Sequence, residues 1–256
     1  MIFTDISLKF KEYRSPLLKL LYYLYQPYKW LFFVPFLIIM NFAIFIFIPF
    51  TAFFCPKYLD LLAVIWSRLS LFATPVFTEI KGKENIERDK SYIIVANHSS
   101  QYDIFVLYGW LGIPFKWVMK EELRKVPVIG YFCEVAGHIF IDRSKPDEAI
   151  KRINNAKENL IKENKSILFF PEGTRSLDGR VKNFKKGAFQ LALEMKIPVL
   201  PVTIKGTHSI LPSKTTDLLP GRAELIIHKP INVEDLDKNS INGLIYKTKS
   251  IIESSL

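Results

Sequence analysis

No charged residue occurs between positions 30 and 55, and this gap separates two kinds of pattern along the chain. Its most apolar part, residues 36–48, is bounded by Pro35 and Pro49, with Lys29 and Lys57 outside. The stretch approaches the roughly 20 apolar residues that cross a bilayer as a helix. The two prolines shorten its uninterrupted part, so a hairpin embedded in one leaflet fits as well as a single span. A buried core helix of a soluble protein is a third option. Residues 59–77 form a second apolar stretch, interrupted by Asp60, Ser67, Arg68 and Ser70. They predict a helix that ends before Pro75 and packs on the first or lies on a membrane. Ahead of both, residues 1–29 set Lys9, Lys11, Arg14, Lys19 and Lys29 against only Asp5 and Glu12. With the Leu and Tyr of residues 17–25, this suits an interfacial segment whose basic side chains lie near lipid head groups. Residues 1–75 are therefore expected to form a membrane-anchoring helical segment, and residues 76–256 a separate globular domain.

Beyond residue 75 the pattern shortens. Runs at 77–80, 92–95, 115–119, 138–141, 166–170, 199–204 and 223–227 are rich in β-branched and aromatic residues and predict strands. Residues 147–163, capped by Ser144 or Asp147, and residues 187–196 carry helical patterns. The apolar run 104–107 places another helix start near Asp103. Strands alternating with helices over roughly 180 residues predict an α/β fold, a central mostly parallel or mixed sheet flanked by helices. No internal repeat or low-complexity linker interrupts it.

Composition narrows the partners. Hydrophobic residues make up 49% of the chain and aromatics 14%, and the mean hydropathy is +0.15, high for a freely soluble protein. Yet 35 Lys and Arg against 25 Asp and Glu give a formal net charge of +10. A chain both apolar and basic suits an anionic lipid surface or an anionic substrate. Nucleic acid is set aside, because no zinc-finger spacing, RNA-recognition signature or helix-turn-helix pattern accompanies the charge. Cys55 and Cys133 lie far apart in apolar surroundings and read as small hydrophobes. His98, His138, His208 and His228 fall in no zinc-ligand spacing, so neither a metal site nor a bound cofactor is expected.

Candidate chemistry gathers where predicted strands end. Asn97-His98-Ser99-Ser100-Gln101-Tyr102-Asp103 follows the strand at 92–95, and Asp142-Arg143-Ser144 follows 138–141. Pro171-Glu172-Gly173-Thr174-Arg175-Ser176 follows 166–170, and Lys205-Gly206-Thr207 follows 199–204. In a parallel sheet these ends share one edge, where α/β proteins place their sites. That edge would hold His98 as proton acceptor and Asp103 to orient it. It would also hold the guanidinium forks of Arg143 and Arg175, and a Gly-Thr turn with exposed backbone N–H groups. A base beside an anion clamp suits a substrate with both a hydroxyl and a phosphate. Each cluster alone has a plainer explanation: a turn and its helix cap, a surface ion pair, a solvated turn. A helix does not bring positions i and i+5 together. His98 is therefore expected in the turn, with the chain curling to set Asp103 beneath it.

Residues 97–103 resemble the H-x4-D motif of the glycerolipid acyltransferases. Phe140-Ile141-Asp142-Arg143 is similar to the second block of that family. Residues 170–176 are similar to its third block, and Val199-Leu200-Pro201-Val202 to its fourth, with Phe184-Lys185-Lys186-Gly187-Ala188 between them. The resemblance implies a phospholipid-biosynthetic transferase. Its acyl donor would be a thioester of acyl-CoA or acyl carrier protein. Its acceptor would be a lysophosphatidic acid, 1-acylglycerol 3-phosphate, and its product phosphatidic acid. His98 would be general base and Asp103 its partner. Glu172, Gly173, Thr174 and Arg175 would bind the glycerol phosphate, helped by Arg143 and Lys120. Acceptors open to the same family are glycerol 3-phosphate and other lysophospholipids. A reading of another class is a non-enzymatic membrane protein that docks anionic head groups. Ser99 or Ser100 as an acylated nucleophile is an alternative to direct transfer, although the G-x-S-x-G elbow is absent. Basic flanks on the apolar segment would set the catalytic domain on the cytoplasmic face of the membrane.

Overall fold

The computed structural model describes residues 16–87, 89–142 and 165–256. Arg143, the predicted helix at 147–163 with its cap at Ser144 or Asp147, and Lys9, Lys11 and Arg14 lie outside the described residues.

Helix α1 (Pro16–Tyr28) leads through a π-helical stretch, Lys29–Phe33, into α2 (Val34–Phe54). Pro35 follows directly on the π-helical turn, where the Val34 N–H bonds back to the Lys29 carbonyl and the ladder is already irregular, and the helix continues through it and through Pro49. The prolines therefore do not shorten the apolar helix as the sequence suggested. At 21 residues, α2 is roughly 30 Å long. It lies along the rest of the protein rather than projecting from it. Phe36 and Leu37 pack on the main core, and Ile44 and fully buried Ile48 pack against Phe132 and Ala136. The opposite side, with Ile39, Phe42, Ile46, Phe50 and Phe53, is left exposed. Lys29, expected among lipid head groups, is instead buried, its Nζ donating to the Thr216 carbonyl at 2.8 Å. Helix α3 (Leu59–Ala73) ends before Pro75, and Arg68 ties it to the core by donating to the Gly109 carbonyl.

Seven strands form one sheet: β1 (Val76–Lys81), β2 (Ile93–Ala96), β3 (Phe115–Lys120), β4 (Ile139–Ile141), β5 (Ser166–Phe169), β6 (Val199–Lys205) and β7 (Gly221–Ile227). Their order is β1-β7-β6-β2-β5-β3-β4. The five from β6 to β4 run parallel, β7 is antiparallel to β6, and β1 is parallel to β7. The mostly parallel, mixed sheet expected from the alternation is thus present. Strands β2 and β5 are buried along their whole length, which is why they read as unbroken apolar runs. Strand β7, near the edge, alternates buried and half-buried positions.

Helices α3 and α4 (Tyr102–Trp110) cover one face of the sheet, with Phe105, Val106 and Leu107 buried against it. Helices α6 (Gly187–Met195) and α8 (Ile241–Glu253) cover the other through Phe189, Leu191, Leu244 and Ile252. Fully buried side chains such as Leu107, Leu168 and Leu200 each contribute roughly 1.5–3 kcal/mol of transfer free energy. Tyr25, Phe33 and Leu71 belong to the same core as the strands, so apolar packing is continuous across residue 75. Two short helices complete the active edge, α5 (Ile129–Val135) after β3 and α7 (Thr207–Ile210) after β6.

Candidate active site

The C-terminal ends of β6, β2, β5 and β3 meet at one edge, and the chain leaving each strand contributes to one cavity. Past β2, Asn97 stitches that strand's end to β6. Its Nδ2 donates to the Ile204 carbonyl and its Oδ1 accepts from the Ile204 N–H, both at 2.8 Å. His98 follows in the turn and Asp103 lies in the first turn of α4, buried completely. The chain curls between them, bringing His98 Nδ1 to 2.7 Å from Asp103 Oδ2.

Asp103 is gripped from every side. Oδ2 also accepts from the backbone N–H groups of Ser99 at 2.7 Å and Ser100 at 2.9 Å. Oδ1 accepts from the Thr207 hydroxyl at 2.5 Å. Because these contacts come from donors, Nδ1 carries the imidazole proton and Nε2 presents its lone pair. The Gly206-Thr207 turn, read from sequence as an anion cradle, therefore serves the carboxylate instead. Gly206 has φ +87°, and a Cβ there would come within 2.2 Å of the Arg222 carbonyl oxygen, so only glycine delivers Thr207 in this way.

The segment after β5 holds His98 from the other side. The His98 N–H donates to Glu172 Oε1 at 2.8 Å, and its carbonyl accepts from the Ser176 N–H at 2.8 Å. Glu172 Oε2 takes the Lys182 N–H at 2.9 Å. Burial pushes the Glu172 carboxyl above the usual carboxylate range, opposed by those two backbone donors. This side chain was expected at the substrate; the structure places it behind the histidine, where it joins two loops. Phe170 lies flat on the imidazole, with ring centroids 3.8 Å apart and planes 6° from parallel. The ring is thus fixed in plane, in tautomer and at its backbone.

His98 opens into a cavity of about 570 Å³. Gly173, Thr174, Arg175 and Lys120 line it, whereas Glu172 does not. Arg175 Nη1 donates to Gln101 Oε1 at 2.9 Å, and Lys182 Nζ donates to Thr174 Oγ1 at 2.7 Å. The chamber behind is apolar and is closed by Ile44 and Trp66 from the N-terminal helices and by Trp117, Ile129 and Phe132. Behind the lining residues Tyr108 and Trp117 lies a second histidine, His138, with Nε2 2.6 Å from the Tyr108 hydroxyl and Nδ1 accepting from the Trp117 N–H. Burial drives His138 well below its ordinary pKa and Tyr108 well above, and raises the Cys133 thiol to about 12. All three stay neutral, which suits the lining of an apolar chamber rather than a second acid–base centre. The sequence assigned no separate role to Asn97, Phe170 or Gln101, and pointed to Thr207 only through the backbone of its turn. Asn97 and Gln101 flank the histidine and Phe170 precedes the Pro-Glu-Gly-Thr-Arg-Ser block, whereas the reach of the Thr207 side chain to Asp103 leaves no local trace.

Comparison with known proteins agrees with this geometry. An acyltransferase family model matches residues 77–205, and the chain belongs to that family. It is similar to the chloroplastic 1-acyl-sn-glycerol-3-phosphate acyltransferase of Brassica napus, 38% identical over 68% of this chain and 51% of that protein. The 1-acyl-sn-glycerol-3-phosphate acyltransferase of Saccharomyces cerevisiae is 37% identical over 70% of this chain and 59% of its own length. The chain thus spans about half the length of the curated relatives it matches. The crystal structure of the 1-acyl-sn-glycerophosphate (LPA) acyltransferase PlsC from Thermotoga maritima superposes with a TM-score of 0.70 at 27% identity, covering 93% of both chains.

Proposed function

We propose that the protein acylates the free hydroxyl of 1-acylglycerol 3-phosphate, using an acyl-CoA or acyl carrier protein thioester and giving phosphatidic acid. The observation that carries this reading is a single cavity in which a buttressed His98–Asp103 pair meets both cationic side chains and an apolar chamber. The names borne by the relatives support the choice of acceptor.

His98 Nε2 takes the proton of the acceptor hydroxyl as its oxygen bonds to the thioester carbonyl carbon. The tetrahedral intermediate collapses, the carbon–sulfur bond breaks, and the thiolate leaves with the proton from His98. Asp103 holds Nδ1–H and stabilises the imidazolium, as in a Ser-His-Asp triad. Base catalysis of this kind contributes roughly 10²–10⁴-fold. The thiol, with an ordinary pKa of about 8.5, leaves readily. Arg175 and Lys120, with Arg143, take the acceptor phosphate, and the apolar chamber takes an acyl chain.

A lipid acceptor requires a membrane surface. The exposed side of α2 supports a monotopic placement, with the helix lying in one leaflet and the catalytic edge at the cytoplasmic face. Replacing Ile46 and Phe53 together with Asn should release the protein from anionic vesicles in a flotation assay; full retention would contradict this placement.

The acceptor is tested by a panel of glycerol 3-phosphate, 1-acylglycerol 3-phosphate and lysophosphatidylcholine with one donor. The second should be acylated with the highest kcat/KM; preference for either of the others would move the reading to a sister activity. Arg175→Ala should raise the KM for 1-acylglycerol 3-phosphate about tenfold or more, the worth of a charge-assisted hydrogen bond, with little change for the donor. Equal effects on both substrates would count against the clamp.

A further inference from the structure

The cavity carries more positive charge than one phosphate needs. Among the described residues that line it, Lys120, Arg175, Lys182 and Lys214 are cationic and none is acidic. They divide by strand. Arg175 and Lys182 follow β5 and Lys120 ends β3, all on one side of the His98 strand β2. Lys214 follows β6, on the other side.

Lys214 differs from the other three in its backbone. Its φ of +64° is in the left-handed region, which is unfavourable for a residue with a Cβ. Among the described residues neither its ammonium nor that of Lys120, across β2 from it, has a hydrogen-bond or ion-pair partner, whereas Lys182 and Arg175 are bonded to Thr174 and Gln101. The loop that imposes the strain is pinned on both sides of Lys214. Before it, the Leu211 carbonyl accepts from Ser100 Oγ at 2.7 Å, a residue of the catalytic turn. After it, the Thr216 carbonyl accepts from Lys29 Nζ, and Asp217 Oδ1 accepts from the Tyr22 hydroxyl of α1 at 2.8 Å. The fold thus holds an unpaired ammonium at the cavity through bonds to the catalytic turn and to the N-terminal helices.

We propose that Lys214 binds a phosphate of the acyl donor, in the phosphopantetheine arm common to coenzyme A and acyl carrier protein. The assignment rests on the acyl-transfer reading above. Direct transfer sets two anionic substrates at His98 together, the acceptor with its own phosphate and the donor with its carrier. Like charges on one side would repel; clamps on opposite sides of the histidine let hydroxyl and thioester meet between them. The β5–β3 side holds the acceptor phosphate, which leaves Lys214 for the donor. An ammonium, a compact point charge on a flexible stem, suits a phosphate on a mobile arm.

The test compares Lys214→Ala, Lys214→Arg and Lys214→Gly with the unaltered full chain. Lys214→Ala should raise the donor KM about tenfold, as loss of a charge-assisted hydrogen bond does, while the acceptor KM moves less than about twofold. Lys214→Arg should recover most of the loss. Lys214→Gly should show the same kinetic defect with no fall in melting temperature, since glycine adopts this φ freely. Calorimetric binding of coenzyme A, which needs no turnover, should weaken about tenfold in Lys214→Ala. A rise in acceptor KM in place of donor KM, or coenzyme A binding that Lys214→Ala leaves unchanged, would overturn the proposal. Weakened coenzyme A binding in a protein that acylates no lysophosphatidic acid would instead sink the acyl-transfer reading and leave the anion site standing.

Discussion

Replacing His98 with alanine should lower kcat by about 10²–10⁴-fold while the melting temperature stays within a few degrees. The structural cost is small because the supports of this turn are backbone atoms. The His98 N–H and carbonyl, bonded to Glu172 and Ser176, survive truncation of the ring. Asp103 loses one hydrogen bond and keeps those from Ser99, Ser100 and Thr207. The chemical cost is large because, among the described residues that line the cavity, no other is suited to accept a proton near neutral pH. His138 keeps its Nδ1 lone pair on the Trp117 N–H and its Nε2 at Tyr108. Turnover within threefold of the unaltered protein would remove His98 as the base. Asp103→Asn is a harsher and less clean substitution. A buried amide cannot accept from all four of these donors, and its own NH₂ would face one of them. It should therefore lose both activity and stability.

Glu172→Gln carries the second large effect, and it separates two roles for that residue. A phosphate-binding residue would raise the acceptor KM when altered. A residue that positions His98 would lower kcat and leave both KM values nearly alone. The geometry favours positioning: each carboxylate oxygen receives one backbone N–H, one from His98 and one from Lys182. Glutamine can accept with one oxygen only and sets its NH₂ against the remaining donor. Leaving a buried N–H unpaired costs about 1–3 kcal/mol. In a chain of this size that corresponds to a fall in melting temperature of roughly 2–12 °C. A displacement of about 1 Å at the histidine can cost about 10²-fold in rate. The expected result is therefore a kcat lower by about 10²-fold, with KM values within threefold, read from steady-state kinetics beside a thermal melt. A rise in acceptor KM with kcat preserved would return Glu172 to the substrate.

How much of this was legible in the sequence follows from what sequence patterns encode. The strands were legible because central parallel strands must be apolar on both faces, and β2, β5 and β6 are short unbroken runs of such residues. The reversal of β1 and β7 was not, because strand direction leaves no periodic trace in so few residues. The five-residue spacing of His98 and Asp103 excluded a shared helical face, and so required the turn that the structure contains. Residue identity does not reveal where a side chain points. Glu172, inside a block that reads as a phosphate loop, turns back to the histidine, and Thr207 reaches across from β6. Lys29 shows the same limit, since a lysine beside an apolar helix reads as interfacial but here caps a loop carbonyl. The prolines misled for a related reason. Pro35 follows the π-helical turn, and the helix runs on through it and through Pro49.

Direct transfer of an acyl group to 1-acylglycerol 3-phosphate, with His98 as base, leaves no acylated protein at any stage. It is tested most directly by mixing the protein with a thioester labelled in its acyl group, with and without that acceptor, and quenching within one turnover. Direct transfer puts label in phosphatidic acid when acceptor is present, and none on the protein in either case. Label retained on Ser99 or Ser100 with donor alone, and discharged when acceptor is added, would contradict it.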